Sequence, residues 1–85
     1  MSFLRWKKQQ KLGQEAKELM DSELFQSAIQ QVRDELVGAI QGSKPSQKEV
    51  REDAYIMLKY GERFVHSLSQ HIANGKMAEQ HLNDQ

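Results

Sequence analysis

One stretch of this chain is rich in breakers, Gly42–Ser43–Lys44–Pro45–Ser46, and it holds the single proline. The long runs on either side carry apolar residues at three- and four-residue steps, and alternation by two fails throughout. A five-residue connection between two helical runs obliges them to lie antiparallel as neighbours. The chain therefore reads as all-α, an antiparallel helical hairpin over residues 22–41 and 47–74, preceded by an additional N-terminal helix.

The first arm opens at Asp21 or Ser22, either of which can accept hydrogen bonds from unpaired amides of a first helical turn. Phe25, Ala28, Ile29, Val32, Leu36, Ala39 and Ile40 then mark one face. Gly42 suits the left-handed position just past a helix end. Ser46 and Glu49 have the spacing of a capping box for the second arm. There Val50, Ala54, Met57, Gly61, Phe64 and Leu68 alternate steps of four and three, as a coiled-coil seam does. Gly75 is expected to end that arm, leaving residues 76–85 as a polar tail in a domain spanning 21–75.

Residues 1–20 form a basic arm that is helix-compatible but weakly specified. Gly13 sits inside it, and an interior glycine costs about 1 kcal/mol relative to alanine. The arm is expected to fray or to order on a partner. At 1.5 Å per residue the hairpin arms span about 30 and 42 Å, so an overhang of about 12 Å on the second needs cover. The first segment folding back, a second copy, or a different protein would each supply it.

Composition narrows the function. Apolar residues make up 38% of the chain and charged residues 28%, too apolar for a disordered tail and too polar for a thick core. Without cysteine, neither a disulfide nor a thiolate cluster adds stability. No run approaches a membrane span, and Met1–Leu12 lacks the pattern of a signal peptide, so a membrane role is not expected. Twelve basic residues balance twelve acidic ones, yet residues 1–20 are basic and residues 21–41 acidic, so the two could attract within or between copies.

No constellation supports catalysis. The serines lack a nucleophile elbow, no glycine-rich phosphate loop is present, and a thin hairpin cannot wall off a reacting group. The chain is expected not to be an enzyme and to need no cofactor. His66 and His71 fall on different helix faces, and Glu62 with His66 makes only a two-ligand pair, so no metal is expected. Arg5, Trp6, Lys7, Lys8 and Lys11 are the candidate nucleic-acid contacts, with lysines for phosphates and a ring for stacking. The plainer alternative has Trp6 anchoring the arm while the lysines stay solvated. Gly61, Phe64, Val65, Leu68 and Ile72, at the uncovered end of the second arm, are the candidate protein interface. Arg51, Tyr55, Lys59, Tyr60 and Arg63 make a basic and aromatic stripe, with Lys48–Glu52 and Lys59–Glu62 at helical pair spacing.

The runs LMDSELFQSAIQQVRDELVGAI and KPSQKEVREDAYIMLKYGERFVHSLSQHIANGKMA resemble small helical-hairpin proteins of tailed phages and prophages. The resemblance rests on a polar N-cap before a phenylalanine-bearing helix (Phe25), an Arg-Glu pair near the start of the next helix (Arg51, Glu52), and a Gly-Lys-x-Ala ending (Gly75, Lys76, Ala78). It implies a non-enzymatic accessory or assembly protein encoded among head-assembly or packaging genes. Such a protein would act through helix-mediated contact with itself or a larger phage structural or packaging protein, in the host cytoplasm or the virion. The alternatives are a nucleic-acid-binding packaging factor that uses the basic arm and a phage-encoded inhibitor of a host enzyme.

Overall fold

A computed structural model describes residues 2–84; Met1 and Gln85, the ends of the first and last segments, lie outside it. Three helices follow in order: α1 (Ser2–Asp21), α2 (Glu23–Gln41) and α3 (Lys48–Asn83). The chain is all-α, and its shape is a rod of 61 × 24 × 14 Å. Its radius of gyration of 18.1 Å exceeds the roughly 12 Å of a globule of this length.

The rod is a hairpin whose first arm is broken in two. α1 and α2 succeed one another along α3, so Trp6 faces His81, Gly13 faces Gly75 and Phe25 faces Phe64 in antiparallel register. α1 makes the main contact with α3, and α2 follows more loosely. Ser22 is the joint. Its extended backbone (φ −70°, ψ 125°) interrupts the helix for one residue, and its hydroxyl accepts from the Phe25 amide at 3.3 Å, the N-cap expected of Asp21 or Ser22. The end of α1 is closed from outside, because the Gln26 side-chain amide donates to the Met20 carbonyl at 2.7 Å. Lys17 pairs with Asp21 at 2.7 Å, and that hydrogen bond and charge hold the lysine above its usual pKa range.

Three sequence expectations about helix ends are corrected. Gly75 does not terminate α3, which runs eight residues further as helix and buries Ala78, so residues 76–83 are not a loose tail. Gly42 keeps a right-handed conformation (φ −85°, ψ −2°), since its amide reaches Gly38 O at 2.8 Å and the Ser43 hydroxyl donates to Ile40 O at 2.7 Å. The Ser46–Glu49 capping box does not form. Gln47 is the N-cap residue, makes no side-chain cap bond and instead folds its amide oxygen back onto the Lys44 N–H at 2.8 Å.

What stabilises the turn is Arg51. Its guanidinium donates to Ser43 Oγ at 3.1 Å, Lys44 O at 2.7 Å and Pro45 O at 3.3 Å, gathering three acceptors of the connection onto the first turns of α3.

The core is built from small residues. Gly13, Ala16, Ala54, Gly75 and Ala78 are buried, and no large side chain among the described residues is fully enclosed. A Cβ built on Gly13 would stand 2.8 Å from His71 O and 2.9 Å from the Gly75 Cα, so α1 and α3 touch backbone to backbone. The glycine that appeared to weaken α1 is what lets it dock, and the partner that orders the arm is α3 of the same chain. α2 carries Phe25, Ile29 and Leu36 toward α3 instead, and a Cβ on Gly61 would meet nothing within 4 Å. α1 thus covers the expected overhang.

Candidate functional site

With α1 in place, α3 is seen to carry two interleaved seams. Ala54, Leu58, Gly61, Val65, Leu68, Ile72 and Gly75 step by four and three and are buried, half-buried or, at Gly61, open toward the α2 groove. The seam read from the sequence shares Ala54, Gly61 and Leu68 with this one, but its other members, Val50, Met57 and Phe64, stay exposed at the margin. The sequence seam is therefore rotated from the intramolecular one by part of a turn. Its periodicity is real, yet half of it is only partly covered within the chain.

The exposed members stand beside apolar residues of the first arm. Leu12, Ala16 and Leu19 of α1 line an open groove with Leu68 and His71 of α3. Further along, Ile29, Val32 and Leu36 of α2 line another with Met57, Leu58 and Gly61. Between the two grooves Phe64, 53% exposed, leans on Phe25 with ring centroids 6.4 Å apart. The opposite margin of the α1–α3 pair has an apolar floor at Gly13, Ile72 and Gly75, rimmed by Gln10, Gln14, Lys17, Lys76 and Glu79. The two margins thus differ in their rims, the second carrying more polar side chains than the first.

The candidate interface residues divide accordingly. Phe64 lies on the exposed apolar margin, Leu68 in the groove with Leu12 and Leu19, Ile72 on the opposite margin with Gly13, Gly61 in the α2–α3 groove, and Val65 is half-buried. Leu12, Leu19, Val50 and Met57 belong to the same apolar margin and are missed by a reading confined to the end of α3. Their signal is the seven-residue spacing of Leu12 with Leu19 and of Val50, Met57 and Phe64, legible only once α1 is known to lie beside α3.

The basic arm is resolved differently. The Trp6 ring is stacked on His81, 4.6 Å between centroids and 11° from parallel, at the open end of the hairpin where α1 begins and α3 ends. The Lys7 ammonium lies 5.2 Å over the Phe3 ring, and Lys8 and Lys11 are exposed. Arg5 lines a polar groove with Trp6, Gln9, Asn74 and His81. The lysines share one side of α1, while the ring expected to stack on a base already faces a histidine.

Elsewhere the charges are local. Lys48–Glu52 at 3.7 Å and Lys59–Glu62 at 3.4 Å are exposed pairs within α3, and Lys59 also lies 5.4 Å over the Tyr55 ring. Each such pair is worth a few tenths of a kcal/mol, about 0.3–0.5. Among the described residues no three histidine, aspartate or glutamate side chains come together to hold a metal, and no helix is long and apolar enough to cross a membrane. Comparison with protein-family models, with curated proteins and with solved structures finds no significant match to this chain.

Proposed function

We propose that this chain is a non-enzymatic accessory or assembly protein of a tailed phage, acting by laying one side of a helical hairpin against itself or against a head, portal or packaging protein. The observation that carries the interaction reading is the inversion of its side chains. Glycine and alanine occupy the closest contacts, while Leu12, Leu19, Val50, Met57 and Phe64 remain partly or largely in water along one margin. An apolar margin backed by a rigid two-helix scaffold is how helical proteins present a docking face. The phage assignment is supported by the sequence resemblance quoted above.

Affinity purification of the tagged chain from infected cells, followed by mass spectrometry, tests this reading. Head, portal or packaging proteins should be retained by the native chain and lost from Phe64→Glu. Retention of none of them, or equal retention by both forms, would sink it.

A second reading draws on the three exposed lysines at positions 7, 8 and 11, which together offer a phosphate-binding side. DNA binding through the arm should weaken steeply with salt and disappear when these lysines are replaced by glutamine. Binding that survives their loss would exclude the arm as its seat.

A further inference from the structure

We infer that the apolar margin is a self-association surface, on which a second copy of this chain docks antiparallel about a two-fold axis passing near Phe64. The inference rests on the interaction reading above and names its partner.

Area gives the first argument. A folded monomer of 9.9 kDa is expected to expose about 5,200 Å², whereas this chain exposes 6875 Å². The difference, about 1,700 Å², is roughly twice what each partner buries in an interface of standard size, about 800 Å². One side-to-side contact of standard size would remove about half of that excess.

Placement gives the second. Leu19 lies to one side of Phe64 along the rod and Met57 to the other, with Leu12 and Val50 further out, because α1 runs antiparallel beside the C-terminal half of α3. A two-fold axis near Phe64 sets the two Phe64 rings together, Leu19 against Met57 of the second copy and Leu12 against Val50. A closed isologous contact of this kind satisfies both copies with one patch.

Charge decides the direction. The end of the rod made from residues 2–12 and 73–84 carries five basic and two acidic side chains, and residues 23–62 carry seven acidic and five basic. Parallel docking would set like ends together, and antiparallel docking sets basic against acidic.

Sedimentation equilibrium of the full chain tests the inference. The native chain should sediment at twice 9.9 kDa, and Phe64→Glu should weaken association at least about thirty-fold, as expected for the centre of an interface. Phe64→Cys, the single thiol in an otherwise cysteine-free chain, should close a disulfide between copies under mild oxidation, whereas Leu12→Cys, away from the axis, should not. Far-ultraviolet circular dichroism confirms that each variant is folded. A native monomer, association indifferent to Phe64→Glu, or no disulfide between copies of Phe64→Cys overturns the inference. Loss of self-association leaves the broader reading standing if phage proteins are still retained through Phe64, so the two fail separately.

Discussion

Gly13 of α1 and Gly75 of α3 meet Cα to Cα across the hairpin, so that a Cβ on either would come within 2.9 Å of the other's backbone. Alanine usually improves a helix interior by up to about 1 kcal/mol over glycine. Here the added methyl must push two backbones apart, a strain of about 1–3 kcal/mol that outweighs the gain. Gly13→Ala and Gly75→Ala should each destabilise by about 1–2 kcal/mol and lower the melting temperature by roughly 4–8 °C per kcal/mol. Gly38→Ala and Gly61→Ala, where a Cβ meets nothing within 4 Å, should stabilise by about 0.5–1 kcal/mol. Thermal unfolding at one fixed protein concentration separates the two pairs. Four alanine variants shifting in the same direction would contradict the close crossing.

The same glycines show how far the sequence could be read. Gly75 follows a long apolar run and Gly13 interrupts a polar one, and locally these are the marks of a helix end and a helix defect. Only the pairing of the two glycines across the hairpin gives them a common purpose, and a linear pattern does not contain that pairing. The three helices, the turn and the Ser22 cap are legible because each depends on neighbours within a few residues. The phase of the α3 seam is not, because Val50, Met57 and Phe64 repeat as regularly as the residues that α1 and α2 cover. The choice between the two seams is made by which contact approaches more closely. The glycine and alanine set wins it, leaving the bulkier set outside.

Arg51 ties the connection to α3 through three donated hydrogen bonds, and Ser43, which accepts one of them, donates its own hydrogen bond to Ile40 O. Replacing this half-buried guanidinium by methionine leaves three turn acceptors to water and should cost about 1–2 kcal/mol. Arg51→Lys should recover less than half of the loss, because a point ammonium cannot span acceptors that a planar fork reaches together. Urea unfolding gives the stability. Faster hydrogen exchange of the Ser43 and Gln47 amides, with the Gly13 region unchanged, would locate the effect in the turn. An unchanged midpoint for Arg51→Met would show that the turn does not depend on it.

Ser22 divides what would otherwise be one long first arm. Its hydroxyl is the only side chain seen to cap α2, through Phe25 N, so Ser22→Ala should cost about 1 kcal/mol. Alanine also favours continuing the helix through the joint, which would turn Phe25 away from Phe64 by roughly 100° per added helical residue. Ser22→Asp keeps an acceptor in place and should hold near-native stability. Loss of nuclear Overhauser contacts between the Phe25 and Phe64 rings in Ser22→Ala, and their retention in Ser22→Asp, is the expected result. Equal stability of all three forms would mean that the joint is set by packing alone.

Trp6 is the chain's single tryptophan, so its emission reports on one place, the stack against His81 where α1 begins and α3 ends. Parallel stacking of two rings at 4.6 Å contributes about 0.5–1.5 kcal/mol beyond the area it covers. Terminal turns have little else to hold them, so loss of this contact should open the end of the rod without unfolding its middle. His81→Ala is expected to shift Trp6 emission to longer wavelength and to increase quenching by iodide, with most of the helical circular dichroism retained. Single-stranded DNA should leave the emission of the native chain unchanged, because the indole face is already taken, and should alter it only in His81→Ala if the arm binds bases at all. Strong quenching of native Trp6 by DNA would show that the ring leaves His81 for a base, and would return the basic arm to the centre of the molecule's function.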